Sequence, residues 1–244
     1  MKSGNHIMKY WNLLACVALT SALASVGCRR SGPAEDVKDP TAELPARFKT
    51  EEPVAKPDFT VAASDPKFQQ AIKEAEALLG ARPETLKSED EDAEVKGGVS
   101  FAVPHGKIER ILLEAHTNFL AKGFYLFRYL QQSGIDNEPD KIGLLPTSDK
   151  YAVIAAMGTN GENYDIGTAG VIAWMKEMEA DQPFVLTGIG FDYLEGNFTT
   201  PIKDAGALAR RMYQFCPDIV DQGTDTVEAL AAELRKGRLY FWWD

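Results

Sequence analysis

Phe215 to Asp244 reads FCPDIVDQGTDTVEALAAELRKGRLYFWWD, and it carries a turn, a helix and a strand in quick succession. Pro217 stops whatever helix precedes it, because proline lacks the N–H that a helix interior needs. Gln222-Gly223 predicts a tight turn. Asp225 with Glu228 three residues on has the spacing of a capping box. Val227, Leu230, Ala231 and Leu234 then recur at helical spacing, and Gly237 ends the run. Leu239 to Trp243 are apolar at every position, which predicts a strand covered on both faces, or one with a face in a cleft. A helix feeding directly into such a strand sets the expectation for the whole chain.

The same alternation extends upstream. Asp65-Pro66 predicts a helix start, followed by Phe68, Ile72, Ala75 and Leu79 at helical spacing and by Gly80. Val99–Val103, Phe124–Leu130 and Ile142–Leu145 read as strands. Lys107–Ala121 reads as an amphipathic helix. Asp149 or Ser148 caps a helix that Gly158 closes, Thr168 caps the next one, and Asp204 caps a third ending before Pro217. Phe184–Ile189 and Phe191–Phe198, broken by Gly188, Gly190 and Gly196, form either one bulged strand or two paired ones. The polar runs 88–92 and 131–141 read as loops. The fold expected is α+β or α/β, a single compact domain with a mixed sheet flanked by helices.

The first residues read differently. Lys2 and Lys9 precede a short apolar run from Trp11 to Leu23, followed by Ala24-Ser25-Val26-Gly27-Cys28. Small residues before a cysteine resemble a bacterial lipoprotein signal, in which the chain is cut before the cysteine and the thiol is lipidated. Ser25 stands where such signals commonly carry leucine, and Met8 is an alternative start. The expected organisation is a signal peptide at 1–27, lipidated Cys28 with a disordered linker to residue 63, a helical extension at 64–97, and the α+β domain at 98–244. The expected place is a bacterial cell envelope, with the membrane as partner through the lipid.

Composition narrows the function. The net charge is −10, with 36 acidic and 26 basic side chains, so nucleic acid is not an expected partner. No paired Cys or His spacing suits zinc, the acidic 88–92 run lacks the central glycine of a calcium loop, and neither G-x-S-x-G nor G-x-x-x-x-G-K occurs. No metal or cofactor is expected. Cys16 leaves with the signal and Cys28 carries lipid, which leaves Cys216 without a disulfide partner.

The run Cys216-Pro217-Asp218-Ile219-Val220-Asp221-Gln222-Gly223, with Tyr240-Phe241-Trp242-Trp243-Asp244, resembles a bacterial family known as domain of unknown function 4253. Thr159-Asn160-Gly161-x-Asn163-Tyr164-Asp165 and Phe191-Asp192-Tyr193-Leu194-Glu195-Gly196 resemble members of it too. The resemblance spans 142–244 and implies no activity.

The candidate residues each carry two readings. Cys216 is a nucleophile only with a base beside it, and the nearest sequence offers none; a packing thiol is the expectation. Asp218 and Asp221 suit acid–base work or a cation, and equally suit holding the amides of a turn. Gln222 either bridges backbone segments or reads a polar ligand. Asn160, Asn163 and Asp165 either line a pocket with Trp242 or hold their own turn. Asp192 and Glu195 read as charges at a strand edge, and Gly188-x-Gly190 is half of a phosphate loop. Pro217, Gly223 and Trp243 complete the signature. The expected function is a non-catalytic ligand- or protein-binding module at the envelope. The rival is an enzyme using Asp218, Asp221, Gln222 and Cys216, and a third reading is protection against a secreted toxin.

Overall fold

The computed structural model describes residues 43–50, 52–88, 93–109, 111–130 and 138–244. In chain order the elements are α1 (Thr60–Ala63), α2 (Pro66–Leu79), β1 (Glu84–Lys87), β2 (Glu94–Val103), α3 (Leu112–Leu120), β3 (Tyr125–Leu130), β4 (Asp140–Leu145), α4 (Lys150–Met157), α5 (Thr168–Asp181), β5 (Phe184–Ile189), β6 (Tyr193–Phe198), α6 (Ala205–Phe215), α7 (Val227–Leu234) and β7 (Arg238–Trp242). The signal segment, Cys28 and residues 89–92 and 131–137 lie outside the described residues.

The seven strands form one mixed sheet in the order β1-β2-β4-β3-β5-β6-β7. All neighbours are antiparallel except β3 and β5, which run parallel. The fold is α+β. Among the described residues no helix is long and apolar enough to cross a membrane.

The sheet separates two cores. On one face lie Tyr125 and Phe127 of β3, Leu186 and Ile189 of β5, Leu194 of β6, and Leu239 and Phe241 of β7. They pack against Ile154, Trp174, Met175, Met212, Phe215 and Leu230 of the helices. Trp174 and Phe215 stack at 4.3 Å between ring centroids, and Phe241 meets both rings edge-on at 5.2 and 5.5 Å. The other face is covered by α2 and α3 over β2, β4 and β3, through Phe68, Leu79, Phe101, Phe119, Leu126 and Ile142. No residue of β5, β6 or β7 belongs to this second core. That half of the sheet lies beyond the second core, although α3 reaches β5.

Several expected starts hold in detail. The side chains of Asp65, Asp149 and Asp204 cap α2, α4 and α6, accepting from Lys67 N (2.8 Å), Tyr151 N (2.9 Å) and Ala207 N (2.9 Å). Gly80 and Gly158 close α2 and α4 at φ 63° and 71°. Phe184–Phe198 resolves into two antiparallel strands, with a bulge between Leu186 and Gly188.

Others are corrected. Residues 43–63 were expected in the linker, yet Leu44, Phe48 and Phe59 are buried in the first core. Thr50 O accepts from Gly167 N (2.9 Å), and Arg47 pairs with Glu177 (3.0 Å). The segment straps α5 and then reaches β2, where Lys96 O accepts from Phe59 N (3.1 Å). Residues 64–97 are not a helical extension alone, since β1 and the start of β2 join the sheet there. The helix expected at 107–121 is ordered as α3 over Leu112–Leu120. Gln222-Gly223 lies within a wide π-helical turn, Ile219–Thr224, and Asp225 follows it at φ 64°. The cap of α7 is therefore Thr226, whose hydroxyl accepts from Ala229 N (3.1 Å), and not Asp225.

Candidate functional site

β7 lies at an edge of the sheet, where its outer backbone groups have no strand to pair with. Gly237 O accepts from Phe198 N and Trp243 N donates to Asp192 O, both at 2.9 Å. Odd-numbered residues thus turn their backbone toward β6, and even-numbered ones turn it outward. Two outward groups are then taken up by the segment after α6. Cys216 Sγ donates to Trp242 O (2.9 Å), and Asp218 Oδ2 accepts from Asp244 N (2.9 Å). Pro217 ends α6 just where the chain must turn to deliver both side chains.

Asp218 is the centre of this lock. It is buried, and its Oδ1 accepts from Tyr164 OH (2.6 Å) and Gln222 Nε2 (3.0 Å) while Oδ2 takes Asp244 N. One carboxylate thereby ties the 159–165 loop, the π-helical turn and the final residues together. Burial, and then the bond to Asp218, push the Tyr164 hydroxyl well above the usual tyrosine range. Asn163 Nδ2 donates to Asp244 O. Asn160 bonds within its own loop, donating to Gly158 O (3.0 Å) and accepting from Glu162 N (3.0 Å). Trp243 covers the loop so closely that a Cβ on Gly161 would stand 2.7 Å from its ring.

The chemistry open to the other signature residues follows from these contacts. Cys216 is fully buried, and burial pushes its thiol far above the ordinary range. It stays protonated at neutral pH, which removes it as a nucleophile. Asp221 is exposed and accepts from Tyr213 OH (3.0 Å), so the two acids do not share one proton site. Asp192 is part-buried; burial, and then the charge of Asp244, raise its carboxyl above the ordinary value. The two histidines of the described chain are engaged elsewhere. His116 Nδ1 donates to Leu126 O (2.8 Å), and His105 Nδ1 lies 3.1 Å from Asp140 Oδ1. Among the described residues no three His, Cys, Asp or Glu side chains are placed to hold a metal ion.

Trp242 does not meet the Asn160–Asp165 loop. The side chains of Leu239, Phe241 and Trp243 enter the first core, so strand alternation turns Arg238, Tyr240 and Trp242 the other way, with Tyr240 still touching that core. Asn160 and Asp165 instead line a depression of about 360 Å³ with Glu52, Thr168 and Phe191. The loop is thus split between a wall of that depression and an anchor for Asp244.

The face bearing Trp242 holds residues that spacing alone does not connect. Arg128, Gly188, Glu195 and Tyr240 form one row across β3, β5, β6 and β7. Gly188-x-Gly190 is the floor of this row and not half of a phosphate loop. A Cβ at Gly188 would lie 2.9 Å from Glu195 Cβ, and one at Gly190 would lie 2.2 Å from the Tyr193 ring. Over that floor Arg128 reaches Glu195 through Nη2 and Glu109 through Nη1. Burial opposes its charge, while Glu195 and then Glu109 more than offset that cost and keep it protonated. A lone arginine inside the apolar run Tyr125–Leu130 was the available signal for this network. Tyr240 and Trp242 are half-buried, and among the described residues the Tyr240 hydroxyl and Trp242 indole N–H make no hydrogen bond.

Residues 141–244 match the family model described as Domain of unknown function (DUF4253). The DUF4253 stretch runs from β4 to β7 and contains the whole edge lock. It omits β3, which the sheet inserts between β4 and β5, and so it omits Arg128. No curated protein and no solved structure matches the chain.

Proposed function

We propose that this chain is a non-catalytic binding module that presents the open β5–β6–β7 face to a protein partner. We further propose that a lipid on Cys28 holds it at a bacterial cell envelope. One observation carries the binding reading. The polar signature residues are occupied with each other and with backbone, whereas Trp242 and Tyr240 stand half-buried on a part of the sheet face that lies beyond the second core. An enzyme built on the signature would need an accessible thiolate or a pair of carboxylates around one open space. Cys216 and Asp218 are both buried, and Asp221 is turned to Tyr213. Large aromatic side chains, tryptophan above all, are the ones that most often anchor an interface.

Two measurements test this. A photo-reactive phenylalanine analogue at position 242 should give one discrete adduct in cells, and the same analogue at position 78 on α2 should not. Equal adducts at both positions, or none at 242, would remove the face as the binding surface. Cys28→Ser should move the protein from the membrane to the soluble fraction and eliminate a lipid mass; unchanged fractionation with no lipid by mass spectrometry would refute the anchor.

A further inference from the structure

The two halves of the sheet, β1-β2-β4-β3 and β5-β6-β7, meet at its most thinly paired junction. β3 and β5 share one register pair, Arg128 with Gly188, where the other neighbouring strands share several. Side chains reinforce it. Tyr125 OH donates to Leu186 O (3.0 Å), Tyr193 OH donates to Arg128 O (3.1 Å), and Arg128 pairs with Glu195. α3 bridges the junction, packing on β3 and reaching β5. The residue that α3 sets against Tyr125 is His116. It is 1% exposed, and its ring meets the Tyr125 ring edge-on at 4.8 Å between centroids. Nδ1 lies 2.8 Å from Leu126 O, a carbonyl that can only accept, so the proton sits on Nδ1 and Nε2 carries the lone pair. Nε2 is buried and has no hydrogen-bond partner among the described residues. A second proton would therefore create a buried charged N–H with nothing to accept it.

The surrounding groups do not relieve that charge. On β3, burial pushes the Tyr125 hydroxyl far above the usual range and keeps it neutral, and Arg128 is held by Glu109 and Glu195. β5 carries no titratable side chain. From α4, Lys150 adds positive charge, while Asp149 is exposed and caps its own helix. Glu179 of α5 is shared by Lys150 and Tyr151, and Glu114 of α3 is exposed. Burial and then the charge of Lys150 outweigh the bond to Leu126 O and hold the ring below the ordinary histidine value. We propose that His116 makes the β3–β5 junction acid-sensitive, the ring taking a second proton only when α3 lifts from the junction and lets Nε2 reach water. The opened state titrates near the ordinary value of about 6.5 and the closed state only below it. Opening is therefore constant above about pH 7 and rises by up to about tenfold per unit as the pH falls below about 6.5, until the closed ring itself titrates. The same junction carries the row of Arg128, Gly188, Glu195 and Tyr240. Resting on the binding reading above, acid thus pulls apart the face offered to the partner.

The test is amide hydrogen exchange of the full chain by mass spectrometry between about pH 7 and about pH 5, corrected for the intrinsic amide rate at each pH. Opening of α3 and of Tyr125–Leu130 should rise about tenfold from about pH 6 to about pH 5, while the amides of β6 and β7 keep their protection. His116→Phe keeps a ring against Tyr125 and cannot take a proton, so the rise should disappear. If that variant folds poorly, His116→Gln, whose amide can still donate to Leu126 O and does not titrate, should remove the rise in the same way. A parent without the rise, a rise that persists in the His116 variants, or an equal rise in both half-sheets would overturn the proposal. Exchange reads the junction alone, so its failure would leave the binding face to be decided by the adduct at position 242.

Discussion

Asp218→Ala separates a structural signature from a functional one. The carboxylate is 4% exposed and accepts three hydrogen bonds, from Tyr164 OH, Gln222 Nε2 and Asp244 N. A hydrogen bond to a charged group contributes about 1.5–3 kcal/mol when its partners stay buried. Here Gln222 is exposed and Tyr164 part-buried, so water recovers much of two of the three. The expected loss is about 3 kcal/mol, which for a domain of this size lowers Tm by roughly 6–12 °C. Asp218→Asn keeps the shape but turns an N–H toward either Asp244 N–H or the Tyr164–Gln222 pair, and should lose about 1–2 kcal/mol. The assay is urea unfolding followed by tryptophan fluorescence, with the midpoint shifting and the slope unchanged. An alanine variant within about 0.5 kcal/mol of the parent would refute the lock and return Asp218 to the list of ligand-binding groups.

Residues 141–244 expressed alone should fail to fold, because β4 and β5 are joined only through β3 at Tyr125–Leu130; a cooperative melt with native-like near-UV circular dichroism would contradict that sheet order. Asp192→Asn should be more stable than the parent at pH 7 and equal to it near pH 3. The folded carboxyl holds its proton more tightly than the unfolded one, so its contribution is fully present below the ordinary aspartate value of about 3.9 and is lost as pH rises through the folded value. Matching urea midpoints at pH 7 would refute the burial of that charge. Gly170→Ala should release the 43–50 strap, since the new Cβ would stand 2.0 Å from Phe48 O. The exposed Phe48 and Leu44 should cost about 3 kcal/mol together and open residues 43–63 to protease; a variant stabilised by its better helix propensity would show that the strap is not packed there.

What the chain declared locally was legible. Asp65-Pro66, Asp149, Asp204, Gly80 and Gly158 announce helix ends through bonds made within a few residues, and those bonds form. The strap was not legible, because Leu44, Phe48 and Phe59 are too few and too scattered to establish a period; their burial is decided by α5 and β2, far along the chain. Asp225 looked like a cap because its spacing to Glu228 was right. The wide turn before it puts Asp225 in a left-handed conformation and hands the role to Thr226. Strand parity was equally hidden. Leu239–Trp243 are apolar at every position, so only the pairing with β6 shows that Trp243 enters the core and Trp242 does not.

The two halves of the site differ for the same reason. Cys216, Asp218, Gln222 and Asp244 lie within one recognisable stretch, and their closeness invites a chemical reading. Their real work depends on β7 being an edge, a fact about strand order that no local motif contains. Arg128 and Glu195 are 67 positions apart and meet only because β5 brings Gly188 between them with no side chain in the way. A bulkier residue at 188 would push Glu195 off the guanidinium and leave Arg128 a buried charge short of one partner, which is costlier than having no pair at all. The open face is thus assembled jointly by the DUF4253 stretch, which supplies Glu195, Tyr240 and Trp242, and by the preceding residues, which supply Arg128 and Glu109. Any partner that seats on Trp242 therefore reads both parts of the chain at once.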